Sequence, residues 1–200
     1  MKRLGVLLSG RGSNFAAIAD NIAKGRLKGC EIAVVISNKA DAAGLAVARE
    51  RGLKALAIEA RGRKRAEHDA EIIATLREHN VDLVILAGYM RLLSPEFIQA
   101  FPQRILNIHP SLLPAFAGLD AQEQAFTYGV QVAGCTVHFV DEQLDHGVII
   151  LQKTIPVLEN DDAHSLSDRI LEQEHIAYSE AIARVLSGEY QIVGRRYVRS

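Results

Sequence analysis

An amide, an imidazole and a carboxylate occur at spacings that suit acid–base chemistry on an acyl group. Asn107 and His109 alternate in the segment Asn107–Pro114, and Asp145 ends the polar run that begins at Asp141. Side chains two positions apart on a strand point to the same face, so Asn107 and His109 should project together. Pro110 has no amide hydrogen and should end the pairing of that strand. We therefore predict a reactive site at a strand end, although a lone histidine would more often be a capped turn residue.

These three side chains could divide the work of acyl transfer. A carboxylate beside a histidine favours the imidazolium, so His109 next to Asp145 could protonate an oxyanion or a leaving group. The amide N–H of Asn107 could stabilise the oxyanion, an effect that typically contributes about 10²–10³ in rate. No covalent intermediate is needed, and we interpret Ser111 as a turn or cap residue.

A glycine loop, Gly10–Asn14, follows the first apolar strand and opens a helix. Free backbone donors and the helix dipole favour a phosphate at such a position. The loop lacks the third glycine of a dinucleotide fingerprint, because Phe15 stands there, and no acidic residue ends the second strand. A structural turn in which Ser13 or Asn14 caps the helix is an equally good interpretation.

Two further segments could contact a ligand. The loop Ala87–Leu93 follows a buried strand, and its apolar side chains and backbone groups would suit a flat heteroaromatic ring. On the last predicted helix, Glu174 falls in a row spaced by four with Ile170 and Tyr178, which favours a position facing the protein. The alternative is a partly exposed glutamate at the edge of the apolar stripe.

The elements that must position these residues follow from the hydrophobic pattern. Near-continuous apolar runs predict strands covered on both faces. Amphipathic segments separate these runs, so the order predicts a doubly wound, mostly parallel α/β sheet with a Rossmann-like N-terminal half. After Pro110 we predict an antiparallel hairpin across Asp141–Gly147 and then a long helix. The predicted strands are Leu4–Leu8, Ile32–Ile36, Ala55–Ile58, Leu83–Ala87, Gly134–Val140 and Val148–Val157; the predicted helices are Asn14–Ala23, Gly44–Arg51, Arg65–Glu78 and Ser165–Leu186.

Composition sets the broad class. The chain has 200 residues, 48% hydrophobic and 24% charged, with a net charge of −1. This predicts one globular domain, 1–200, whose halves are 1–110 and 111–200. The charge balance argues against a nucleic-acid partner, and we expect no membrane span. Two cysteines without metal spacing and no visible targeting segment favour a reduced cytoplasmic location.

The motifs together resemble the folate-dependent formyltransferases, within them the branch that acts on glycinamide ribonucleotide. The resemblance runs from Val6 to about Leu186 and is most specific at Ser9–Asn14, Ala87–Arg91, Asn107–Pro114 and Leu144–Asp145. It implies transfer of the formyl group of 10-formyltetrahydrofolate to the amine of glycinamide ribonucleotide in purine biosynthesis. The products are formylglycinamide ribonucleotide and tetrahydrofolate. Only small-molecule substrates and no metal are implied, for a monomer or a homodimer.

The resemblance also assigns site residues. Asn107, His109 and Asp145 are the catalytic set. Gly12, Ser13, Asn14 and Glu174 bind glycinamide ribonucleotide. The folate contacts Arg65, Met90, Arg91, Leu92, Leu93, Asn107, Asp141, Glu142, Gln143, Leu144 and Asp145, with Arg65 at the glutamyl tail.

The chain departs from the family pattern at three positions. Asp120 and Gln122 stand where many relatives carry histidines, and His146 stands where small residues are common. His146, His109, His138 and Asp145 permit a second interpretation, a metal-dependent hydrolase, although their spacing is loose for a metal site.

Other functional classes remain as alternatives. A formyltetrahydrofolate hydrolase or an amino-sugar formyltransferase would share the core. Hydrolases usually add an N-terminal regulatory domain, and transfer-RNA formyltransferases add a basic C-terminal domain; we expect neither here. A non-catalytic nucleotide-binding module would not need Asn107, His109 and Asp145.

Overall fold

The computed structural model describes residues Met1 to Ser200, which form two compact units. Unit 1 is Met1–Asn107 and unit 2 is Ile108–Ser200. The boundary falls inside one strand, Ile105–His109, close to the predicted division after Pro110. The assignment of both halves to one domain stays a prediction.

Unit 1 is built on a parallel sheet. Its strands are β1 (Lys2–Leu8), β2 (Cys30–Ser37), β3 (Ala55–Ala57), β4 (Leu83–Leu86) and β5 (Ile105–His109), which crosses into unit 2. The strands pair in the order β3-β2-β1-β4-β5, and every pairing is parallel. The helices are α1 (Ser13–Ala23), α2 (Ala43–Glu50), α3 (Arg65–Glu78) and α4 (Pro95–Ala100). The predicted parallel α/β architecture is therefore confirmed.

The apolar patterns explain these elements. Leu4, Val6, Leu7 and Leu8 of β1 are completely buried, as expected for a strand covered on both faces. Helix α3 has the predicted bounds, and Ile72 and Leu76 of its apolar stripe are fully buried. Helix α4 begins with Pro95 in its first turn, where Pro is tolerated because the N–H would lack a partner in any case.

Unit 2 combines an antiparallel strand pair with a long helix. Its elements are α5 (Ala121–Tyr128), β6 (Val132–Phe139), β7 (Ile149–Pro156), α6 (Ala163–Ser187), β8 (Tyr190–Val193) and β9 (Arg196–Arg199). Strands β6 and β7 form the predicted antiparallel hairpin. Strand β9 pairs parallel to β7 and antiparallel to β8. The sequence patterns did not predict α5 or the β8–β9 hairpin.

Helix α6 packs against β6 and β7. It begins with a capping box in which Asp162 and Ser165 satisfy each other's backbone N–H groups. Gly188 in the left-handed conformation ends it. No helix has the length and apolar character that crossing a membrane requires.

Candidate active site

His109, the last residue of β5, is buried and faces two oxygen acceptors in unit 2. Its Nδ1 atom lies 3.3 Å from Oδ2 of Asp145. Its Nε2 atom lies 2.8 Å from the carbonyl oxygen of Phe116. Ionised carboxylates and carbonyls only accept hydrogen bonds, and a neutral imidazole has a single N–H donor. Only the imidazolium can donate to both oxygens, so the arrangement suits a proton donor.

Asp145 is held in place by its backbone conformation and by one backbone contact. Its φ of 49° lies in the left-handed region, which Asp and Asn adopt more readily than most residues. The Gly118 N–H donates to Asp145 Oδ2 at 2.9 Å. The side chain is only 8% exposed. The carboxylate therefore has a defined orientation towards His109.

The loop that carries Phe116 is anchored to β6 by a buried threonine. The hydroxyl of Thr136 donates to the carbonyl of Ser111 at 2.7 Å and accepts from the N–H of Leu113 at 3.0 Å. Within the loop, the Ser111 hydroxyl donates to the Ala115 carbonyl, which confirms its interpretation as a turn residue. Sequence reasoning missed Thr136. Its only signal is a polar residue inside the apolar run of β6.

A second buried imidazole lies beside the first pair. Nε2 of His138 is 3.8 Å from Asp145 Oδ1, and its Nδ1 donates to the Phe139 carbonyl at 2.8 Å. Burial lowers the pKa of His138 below its ordinary value, although the Phe139 carbonyl and the Asp145 charge act in the opposite direction. We therefore interpret His138 as a neutral packing residue.

The four residues of the metal-hydrolase alternative do not form one cluster. His146 points to Asp141, with its Nδ1 atom 2.8 Å from Asp141 Oδ2. No three His, Cys, Asp or Glu side chains are grouped so that they could hold a metal ion.

In unit 1, the glycine loop lines a cavity of about 340 Å³. Gly12 has a φ of 72° and precedes α1, which no side chain caps. The alternative in which Ser13 or Asn14 caps α1 is therefore wrong. A Cβ atom at Gly12 would lie 3.1 Å from the Cα atom of Gly44, so the close packing of the loop also requires glycine. The cavity is lined by Ser9 to Asn14, Lys39, Ala87, Gly88 and Met90.

Ser9 connects the glycine loop to two other segments. Its hydroxyl donates to Oδ1 of Asn38 at 2.5 Å and accepts from the backbone N–H of Met90 at 2.8 Å. Ser9 thereby ties the end of β1 to the residue after β2 and to the loop after β4. The sequence motif contained Ser9, but only the structure gives it this connecting role.

A buried carboxylate on α3 binds the end of the loop after β4. The Ser94 N–H donates to Asp69 Oδ2 at 2.6 Å, and Asp69 and His68 are fully buried on α3. Burial raises the pKa of Tyr89 well above its ordinary value, and the charge of Asp69 acts in the same direction. Met90 is 69% exposed and Leu92 is 54% exposed, so this loop presents apolar surface. Sequence reasoning missed Asp69.

The other predicted residues have varied surroundings. Glu174 is 6% exposed on α6, which excludes a position at the edge of the stripe. Burial raises the pKa of the Cys135 thiol to about 12, and the charge of Glu174 adds to the shift. Arg65 is exposed at the first residue of α3, whereas its neighbour Arg61 shares a cavity of about 490 Å³ with Arg91. The remaining predicted residues are Asn107 (half-buried), Leu93 (half-buried), Glu142 (exposed), Gln143 (exposed) and Leu144 (exposed).

Comparisons with known proteins agree on one family. The family model described as formyl transferase matches residues 2–182. The human trifunctional purine biosynthetic protein adenosine-3 is 45% identical over 191 residues, which are 95% of this chain and 19% of that protein. The chain thus spans about a fifth of the length of that curated relative.

Two solved structures are similar along almost their whole length. Glycinamide ribonucleotide transformylase 1 from Symbiobacterium toebii is 52% identical with a TM-score of 0.96, covering 100% of this chain and 94% of that one. Phosphoribosylglycinamide formyltransferase from Anaplasma phagocytophilum is 43% identical with a TM-score of 0.91, again covering 100% and 94%.

Proposed function

This chain belongs to the formyl transferase family, and we propose that it transfers the formyl group of 10-formyltetrahydrofolate to the amine of glycinamide ribonucleotide. The products are formylglycinamide ribonucleotide and tetrahydrofolate, in de novo purine biosynthesis. The names of its relatives support this acceptor. The observation that carries the proposal is the buried pair of His109 and Asp145, in which both imidazole nitrogens face acceptors.

The pair suits the chemistry of formyl transfer. Attack of the uncharged amine on the formyl carbon gives a tetrahedral centre with an oxyanion, and the departing folate nitrogen must gain a proton. His109 supplies that proton and, as the neutral imidazole, takes up the proton that the attacking nitrogen loses, while Asp145 stabilises the imidazolium. In the free protein Nε2 of His109 faces the Phe116 carbonyl, so the departing nitrogen must replace that carbonyl as the partner of Nε2. Asn107 precedes His109 by two positions on β5, so both side chains belong to the same face of that strand.

The acceptor is bound through its phosphate and its ribose in this proposal. Gly12, Ser13 and Asn14 offer the uncapped start of α1, an 11-residue helix, to the phosphate. Glu174 binds the ribose hydroxyls, and its burial supports a role that needs a fixed carboxylate.

The donor contacts exposed apolar and polar groups in this proposal. The ligand contacts are Met90, Arg91, Leu92 and Leu93 from the loop after β4, Asp141 to Asp145 from the loop after β6, Asn107, and Arg65 at the glutamyl tail. Exposure of Met90, Leu92 and Leu144 supports this assignment, because apolar side chains at the surface can stack on a flat ring.

The cellular setting is part of the same proposal. We propose a cytoplasmic protein that acts as a monomer or a homodimer. Two free, buried cysteines, Cys30 and Cys135, support a reducing compartment.

An acceptor screen tests the proposed function. The purified protein is supplied with 10-formyltetrahydrofolate and either glycinamide ribonucleotide, an amino sugar or water, and tetrahydrofolate formation is followed. Of the three acceptors, we expect only glycinamide ribonucleotide to give turnover, and we expect His109→Ala to lose that turnover. Equal release of formate without an acceptor would instead identify a hydrolase.

A further inference from the structure

His146, in the loop between β6 and β7, makes polar contacts with the C-terminal hairpin. The guanidinium of Arg195, in the turn between β8 and β9, donates from one nitrogen to the His146 carbonyl at 2.5 Å. A second guanidinium nitrogen lies 3.2 Å from His146 Nε2. The opposite ring atom, Nδ1, lies 2.8 Å from Asp141 Oδ2. Arg195, His146 and Asp141 therefore form a continuous chain of polar contacts, which we term the latch.

The chemistry of the three side chains fixes the direction of each hydrogen bond. The Asp141 carboxylate only accepts, so Nδ1 of His146 carries the proton and donates. In the neutral ring Nε2 is then an acceptor, and the guanidinium of Arg195, which only donates, can bond to it. The other carboxylate oxygen, Oδ1 of Asp141, accepts from the Gln143 N–H at 2.9 Å. The latch thus bonds to two backbone groups of the loop, the Gln143 N–H and the His146 carbonyl.

The hairpin is held against β6 and β7 by aromatic packing and by strand pairing. The ring of Tyr197 stacks on Tyr190 with centroids 5.3 Å apart and packs edge-on against Phe139 at 5.4 Å. Strand β9 also pairs with β7 next to Arg195, at Ile149 and Arg196. The loop after β6 has no regular secondary structure and holds Asp145 in a left-handed conformation. Contacts from the hairpin can therefore restrict the loop.

We propose that Arg195 is a positioning residue, which acts through His146 and Asp141 to keep the Asp141–Gly147 loop in the conformation that directs Asp145 to His109. Arg195 touches neither substrate in this proposal. The proposal rests on the formyl transfer proposed above, since the same loop then contacts the folate. It also gives His146 a specific role in this chain.

Kinetics of Arg195→Ala test the proposal against a matched control, Arg199→Ala. Arg199 is an exposed arginine of the same hairpin that pairs with Glu189 at 2.8 Å, outside the latch. We expect Arg195→Ala to lower kcat/KM for 10-formyltetrahydrofolate by about fivefold in total, through a higher KM and a lower kcat, which is the size expected for an exposed polar contact. The KM for glycinamide ribonucleotide should stay within about twofold. Equal effects of the two arginine variants would overturn the proposal.

A double variant tests whether Arg195 acts through His146. If it does, Arg195→Ala combined with His146→Ala should be no more impaired than the worse single variant, because coupled residues are not additive. Fully additive effects would contradict the latch.

Hydrogen exchange separates failure of the latch from failure of the proposed function. The Gln143 and Gly118 amides donate to Asp141 and Asp145, so their exchange reports the order of the loop without any substrate. We expect exchange at both amides to be several-fold faster in Arg195→Ala and unchanged in Arg199→Ala. Faster exchange in Arg195→Ala, together with no formyl transfer by the unmodified protein, would contradict the proposed function but support the latch. Unchanged exchange would overturn the latch.

Discussion

The glycine loop of unit 1 and the pair of His109 and Asp145 in unit 2 are built in different ways. In unit 1 the loop follows a buried parallel strand, and its useful groups are the backbone at the start of α1. In unit 2 the useful groups are side chains. His109 ends β5, but its partners Asp145 and Phe116 lie in irregular loops that are held by contacts between residues distant in sequence. Gly118 and Asp145 are one example, and Thr136 and Leu113 are another. In the proposed function, phosphate binding by backbone groups would thus depend on regular structure, whereas the partners of His109 are held by individual polar contacts of irregular segments.

This comparison predicts that variants of the His109–Asp145 pair mainly lower kcat. His109→Ala should lower kcat by about 10²–10⁴, because a general acid–base group is lost. The affinity for the folate should stay within a few fold, which equilibrium binding can measure. Near-normal turnover would remove His109 from the mechanism and would also remove the contrast between the two units.

Variants of the glycine loop should mainly raise the KM for glycinamide ribonucleotide. Gly12→Ala should raise it by roughly tenfold or more, because alanine is strained at a φ of 72° and its Cβ would crowd Gly44. Gly10→Ala is the matched control, since a Cβ there meets nothing within 4 Å. Steady-state kinetics with each substrate varied separately would check both. If the two variants behave alike, close packing at Gly12 is not what shapes the proposed phosphate site.

Thr136 tests whether individual polar contacts hold the irregular loops of unit 2, because it anchors the loop that carries Phe116. Thr136→Val leaves the Leu113 N–H without its hydroxyl acceptor and should reduce the free energy of unfolding by about 1–3 kcal/mol. Thr136→Ser retains the hydroxyl and should lose much less. Chemical denaturation of the three proteins measures the difference. A valine variant as stable as the serine variant would show that the loop is held by other contacts.

The smallest expected effect concerns the buried neutral His138. Its folded pKa is below the ordinary 6.5, so the unfolded chain takes up a proton at higher pH than the folded protein does. The contribution of His138 to the free energy of unfolding is therefore fully present above about pH 6.5. It is lost as the pH falls through the folded pKa, by at most about 1.4 kcal/mol per pH unit. Between pH 7 and pH 5, the free energy of unfolding should change less with pH for His138→Gln than for the unmodified protein. His175, whose pKa burial also lowers, should leave some slope in both proteins. Identical slopes would refute the neutral assignment of His138.

The sequence alone determined the regular elements and the reactive residue types. Hydrophobic periodicity located α3 at its observed bounds, Arg65–Glu78, and placed the hairpin of β6 and β7 on either side of Asp145. Alternation along β5 and the position of Pro110 gave the pair of Asn107 and His109 at a strand end. These features are local, because burial on one face or on both imposes a period that can be recognised within one segment.

Only the tertiary structure decided how the reactive groups are held. The Phe116 carbonyl at His109, the left-handed backbone of Asp145 and the hydroxyl of Thr136 have no periodic signal in the sequence. Arg195 meets His146 across 49 positions of chain. Such contacts arise because folding brings distant segments together and each buried polar group then requires a partner. The pattern of one segment cannot specify that partner, so the chemistry could be predicted from the sequence, whereas its positioning could not.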